Sequence, residues 1–207
     1  MHLIQGTKWI VWNILLALIP VFLGYSISFV SRSEERYPTQ TRVVLYVLGA
    51  LWLVFMPNTC YLLTEWRHFL EMLGYTNLYA LWRWDSGSRM TLMILTLFYM
   101  CYSGVGVITF TLAIRPVAKM FERHRVRLWL LGIPFFFLMS VGVYLGLILR
   151  FNSWELFNQF QQVLNELSQL GLHPTRVFYI SFFAAFLWAM YLATDIWIDG
   201  LLNRFRK

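Results

Sequence analysis

Apolar residues fall into five long runs separated by polar stretches, at 9–30, 43–63, 90–114, 128–149 and 177–198. A helix needs about 20 consecutive apolar residues to cross a bilayer, and each run reaches that length. The pattern predicts an all-α fold, a single membrane domain built as an integral bundle of five transmembrane helices. Pro57 lies inside the second run. It has no N–H to donate and its ring crowds the preceding turn, so it ends or kinks that span. Asn58 or Thr59 is then placed to cap a new helical turn. Between the fourth and fifth runs, Phe157, Phe160, Leu164, Leu167 and Leu170 share a helical stripe, with Asn158, Gln161, Gln162, Asn165 and Glu166 off it. This predicts an amphipathic interfacial helix over 154–170, lying on the outer face, with Ser153 as its N-cap. Residues 66–82 form a weaker candidate of the same kind.

Composition supports the membrane reading. The chain is 59% hydrophobic and 13% charged, against about a quarter charged in soluble domains. The formal net charge is +7, which here reflects membrane-flanking loops rather than nucleic-acid binding. One side holds 31–42, 115–127 and the tail, with eleven Lys and Arg; the other holds the N-terminus, 64–89 and 150–176, with six. The positive-inside bias predicts the N-terminus outside and the C-terminus in the cytoplasm. Lys8 precedes the first run, but that run is too long for a signal peptide and lacks a small-residue cleavage site. Trp9, Trp12, Trp66, Trp82, Trp84 and Trp154 fall near the predicted outer boundary, Trp129 and Trp197 near the inner one, as an interfacial belt requires. Gly142 and Gly146, and the series Ser181, Ala185, Ala189, Ala193, are expected as close helix contacts within the bundle, with a dimer face as the alternative. The two cysteines, Cys60 and Cys101, read as small core residues.

Two polar stretches stand where apolar runs meet water, Pro57 to His68 and Arg150 to Glu155. If helix continues from Tyr61 to His68, then Tyr61, Thr64, Glu65 and His68 share a face. Trp84 and Asp85 stand before the third span, Tyr144 near the end of the fourth. The topology places all of these at the outer end. The expected ligand-binding pocket is Asn58, Tyr61, Thr64, Glu65, Arg67, His68, Trp84, Asp85, Tyr144, Arg150, Asn152 and Trp154. Glu65, His68 and Asp85 are the acid/base candidates, and Arg150, a rigid five-donor fork, is the anion clamp. Ion pairs that merely tie loops to spans are the competing account of the same charges. Glu65 and His68 have the i, i+3 spacing of carboxylate–histidine metal ligands, but a closed site needs three or four ligands, so no metal is assigned. Asp195 reads as a cap or a partner of Arg204, with a proton relay as the sharper alternative.

These residues carry a family resemblance: Trp12-Asn13 with Leu16-Ala17-x-Ile19-Pro20; Trp52-Leu53-x-Phe55-x-Pro57-Asn58-x-x-Tyr61-x-x-Thr64-Glu65-x-x-His68; Trp84-Asp85; and Tyr144-Leu145-Gly146 followed by Arg150-Phe151-Asn152-Ser153-Trp154. The chain resembles the bacterial multi-pass membrane proteins grouped as domain of unknown function 1361. The family pattern has aspartate where Glu65 stands and a basic residue where Leu147 stands. The resemblance implies a bacterial inner-membrane protein and supplies no activity. Two functions stay open. One is a binding or accessory protein whose outer pocket takes a lipid headgroup, a polar ligand or a membrane partner subunit. The other is a membrane-embedded enzyme acting on a lipid-linked or cell-envelope substrate. A transporter is third, because no inverted repeat is visible. No nucleic-acid motif, Gly-rich phosphate loop, C-x-x-C or Ser-His-Asp pattern occurs, and the sequence names no cofactor.

Overall fold

The computed structural model describes residues 2–33, 38–76, 78–123, 128–147 and 158–205. All regular structure among them is helical. The order is α1 (His2–Val30), a 3-10 turn (Ser31–Ser33), α2 (Pro38–Phe55), α3 (Pro57–Thr64), α4 (Trp66–Thr76) and α5 (Leu78–Leu81). Then come α6 (Ser86–Arg123), α7 (Leu128–Leu147), α8 (Phe160–Leu170) and α9 (Pro174–Phe205). Among the described residues, four stretches are long and apolar enough to cross a membrane: Ile10–Val30, Thr39–Thr76, Ser86–Arg123 and Pro174–Phe205. The apolar helix Leu131–Leu147 is shorter.

Helices α6 and α8 depart from their expected bounds. Helix α6 does not stop at residue 114 but continues through Pro116 to Arg123, so most of the expected 115–127 loop is helix. Basic side chains are compatible with helix at its C-terminal end, where they meet the negative end of the dipole. Helix α8 begins at Phe160, with Gln159 at its N-cap and no side-chain capping bond; Ser153 lies outside the described residues. Its buried positions are Val163 and Leu170, which cluster with Val141 and Leu145 of α7 and Ile180 of α9, with Leu167 packed alongside. Phe160 and Leu164, expected on the same stripe, stay exposed. The helix therefore docks one edge on protein.

Helix α3 occupies the middle of the bundle, against α1, α2, α6 and α7. Five of its eight residues are buried: Pro57, Asn58, Thr59, Cys60 and Leu62. The main core joins Trp52, Met56 and Cys60 to Phe110, Ala113 and Ile114 of α6, Phe136 and Met139 of α7, and Ala184 and Leu187 of α9. Glycines open the space. A Cβ on Gly142 would come within 2.6 Å of the Pro57 ring, and one on Gly146 would run into the Tyr61 hydroxyl and ring. A Cβ on Gly106 would lie 2.8 Å from that of Leu62. Pro57 and Tyr61, one turn apart on α3, thus seat on Gly142 and Gly146, one turn apart on α7, in the close approach that small residues permit.

The second small-residue series behaves differently. Ser181, Ala185, Ala189 and Ala193 are exposed on α9. Packing uses Ile180, Ala184, Leu187 and Thr194 instead. The series is offset from the buried positions, and a mixed set of large and small side chains makes the contact. Cys60 is buried and Cys101 exposed, both as free thiols.

Gly146→Ala should therefore destabilise the fold by about 1–3 kcal/mol through overpacking, read as a lower thermal midpoint of the detergent-purified chain. Combined with Tyr61→Ala, the loss should be smaller than the sum of the two single losses. Additive losses would show that the glycine is not needed to receive Tyr61.

Candidate functional site

The site grows from the break at Pro57. Met56 and Pro57 interrupt the second apolar run between α2 and α3. Buried carbonyls near such a break need donors. Asn58 Nδ2 donates to Phe55 O at 3.0 Å, and Thr59 Oγ1 donates to Met56 O at 2.7 Å. Neither acts as the expected N-cap; that position is Met56, without a side-chain bond. Both instead reach back to the last carbonyls before α3. Tyr61 is committed to α7, its hydroxyl lying 3.5 Å from Gly142 O. Asn58 and Tyr61 are therefore built into the packing.

A second interruption at Glu65 separates α3 from α4 and sends its neighbours apart. Glu65 turns to α1, where Asn13 Nδ2 donates to Oε1 at 3.2 Å. Its Oε2 is 3.7 Å from His68 Nε2. The other ring nitrogen, Nδ1, is 3.3 Å from Glu71 Oε2, and Glu71 Oε1 is 3.7 Å from Arg67 Nε. Asn13, Glu65, His68, Glu71 and Arg67 thus form one polar string. Glu65 is the most enclosed of its charged members, with 20% of its side chain exposed against 50% for His68. The hydroxyl of Tyr102 is buried, within reach of Asn13 and Glu65. The two carboxylates meet opposite nitrogens of the imidazole, so they do not converge on one point. No group of three metal-ligating side chains forms among the described residues.

Thr64 faces the other way. Its hydroxyl donates to Tyr61 O at 2.9 Å, and it lines a cleft of about 670 Å³ between α3, α7, α8 and α9. Val143, Leu147, Ile180 and Phe183 make the apolar wall; Tyr144, Glu166, Gln169 and Arg176 supply polar groups. Thr64 and Tyr144 are the two expected pocket residues that meet here. The cleft is largely apolar with a few polar groups, and its volume falls in the range of small-molecule pockets.

A model of one family, described as a protein of unknown function (DUF1361), matches residues 12–196. The chain belongs to the DUF1361 family. No curated protein and no solved structure matches it. In this DUF1361 protein the motif residues Asn13, Pro57, Asn58, Tyr61, Glu65 and His68 are those that make the break and the polar string. Arg150, Asn152 and Trp154 lie outside the described residues.

Asp85 has a structural task in the DUF1361 protein. Its Oδ2 accepts from the Ser88 N–H at 2.7 Å and the Ser88 hydroxyl at 2.6 Å, and its Oδ1 from the Gly87 N–H at 3.3 Å. It caps α6 as an N-terminal acid should. The Ser88 hydroxyl, then the Ser88 and Gly87 amides, hold its carboxyl below the ordinary 3.8. Trp84 beside it is 86% exposed.

At the other end of α9, Asp195 pairs not with Arg204 but with Arg115. Arg115 Nη1 donates to Asp195 Oδ1 at 2.8 Å, and Nη2 donates to Asp199 Oδ1. Arg115 is buried, and two carboxylates answer its charge, as a buried guanidinium requires. Sequence reading also missed Asn13 as a site residue, and Glu71, Glu166, Gln169 and Arg176. An asparagine within an apolar span was the available signal for the first; the cleft residues gave none, because their convergence depends on the docking of α8.

For the cap, folded-state affinity for the proton is lowered, so its stabilisation is present above 3.8 and fades as pH falls through the lower folded value. The gap in thermal midpoint between wild type and Asp85→Ala should hold at neutral pH and narrow in acid. A gap independent of pH would remove Asp85 as an ionised cap.

Proposed function

We propose that this DUF1361 protein is a five-span protein of a bacterial inner membrane, N-terminus outside and C-terminus in the cytoplasm, that binds an amphiphile at its outer end. The remaining span, fourth in chain order, is α7, and α8 lies along the outer surface with Phe160 and Leu164 toward lipid. The observation that carries the reading is the cleft between α3, α7, α8 and α9, apolar on one wall and lined by Thr64, Tyr144, Glu166, Gln169 and Arg176 on the other. Arg176 gives an anion or hydroxyl-rich headgroup a charged donor. Val143, Leu147 and Phe183 give its chain an apolar bed. The asymmetry of Lys and Arg, eleven against six, supports the orientation.

Gentle purification of the full chain followed by native mass spectrometry should retain a bound amphiphile. Arg176→Ala and Tyr144→Ala should weaken its retention, the former by roughly tenfold or more for a charge-assisted bond. Recovery of an empty chain with a stoichiometric companion subunit would replace this reading with the partner one.

A membrane-embedded enzyme is the second reading, favoured by one observation: Asn13 holds Glu65 beside His68, a carboxylate–imidazole couple able to move a proton. Glu65→Gln should then keep the wild-type thermal midpoint while failing to complement a deletion strain. Full complementation would end the catalytic reading.

A further inference from the structure

At the end of α9 opposite the cleft, the 3-10 turn after α1 and the last turns of α6 enclose a second recess of about 520 Å³. Its lining includes Arg32, Lys119 and Arg123, and no carboxylate among the described residues. Arg115 also reaches it, but that guanidinium is already answered by Asp195 and Asp199. Arg32, Lys119 and Arg123 are exposed, and none has an ion-pair partner among the described residues. Lys119 and Arg123 stand one turn apart on α6, a like-charge spacing that disfavours the helix. An anion between them removes that penalty. Tyr25, Phe29 and Leu202 in the same lining expose apolar side chains, at 52%, 73% and 51%.

We infer that this recess is a binding site for the phosphate of an anionic phospholipid. Arginines from two separate elements and a lysine surround the headgroup, with guanidinium forks matched to phosphate oxygens. The chains lie along Tyr25, Phe29 and Leu202. A free phosphate would gain the cations and lose the apolar bed, so the assignment is to the lipid. Basic recesses between spans are where anionic headgroups settle. The site is independent of the outer cleft, from which it differs in charge and in lining.

The test uses the full chain in a neutral detergent, titrated with short-chain phosphatidylglycerol, short-chain phosphatidylcholine or inorganic phosphate and read by thermal unfolding. Phosphatidylglycerol should raise the midpoint saturably, and the other two should not. Each of Arg32→Gln, Lys119→Gln and Arg123→Gln should weaken the half-saturation concentration about fivefold. Arg204→Gln, a basic residue in the last turn of α9 outside the recess, should leave it unchanged. Equal stabilisation by phosphatidylcholine or by inorganic phosphate would overturn the lipid assignment. An equal loss in Arg204→Gln would reduce the effect to diffuse surface charge and overturn the site. Should a variant fail to purify, native mass spectrometry of Arg176→Ala, whose outer cleft has lost its cation, decides: one anionic lipid retained per chain supports the recess, and none overturns it.

Discussion

Within a helix surrounded by apolar groups, a proline at position 57 leaves the Leu53 carbonyl without its usual intrahelical donor. A buried polar group without a partner costs about 1–3 kcal/mol, so the chain cannot leave such a break bare. Asn58 and Thr59 meet the adjacent need by donating to Phe55 O and Met56 O. Burial does the rest. Helix α3 is held in the bundle's middle, and Gly106, Gly142 and Gly146 let α6 and α7 close on it. Where lipid and protein interior are equally apolar, such close packing is a principal force holding helices together.

That placement also explains how polarity is distributed. The chain breaks again at Glu65, and successive side chains part company, Thr64 toward α7 and Glu65 toward α1. Two polar features result on two flanks of the same turn, rather than one. The α1 side is a string of alternating partners in which each carboxylate has a donor or a cation nearby. The α7 side is a cleft whose polar groups line open space.

The opposite end of the bundle follows a similar rule with different signs. Arg115 is enclosed and is answered by two aspartates from α9, while Arg32, Lys119 and Arg123 remain outward-facing. A desolvated cation needs carboxylates; a solvated one is available to a ligand. The proline at 116 sits beside this cluster, and the neighbouring Ala113 carbonyl accepts the Trp52 indole at 3.1 Å. Here the donor to backbone near a proline comes from another helix, where at Pro57 it was local.

The order of polar and apolar residues by itself determined the helical class, the apolar stretches that can span a membrane, the break at Pro57 and the glycine contacts of α7. These are local or periodic properties: length, a missing N–H, a missing Cβ. It also marked Glu65 and His68 as neighbours, because three residues in a helix make less than one turn. Only the tertiary structure decided that Tyr61 is consumed by packing and that Asp195 answers Arg115 rather than Arg204. It alone set the exposed face of Ser181, Ala185, Ala189 and Ala193, and gathered Arg176 and Glu166 beside Thr64. Each of those depends on how one helix is rotated against another, and a rotation of that kind is settled by side-chain fit across distant positions, which no local spacing records.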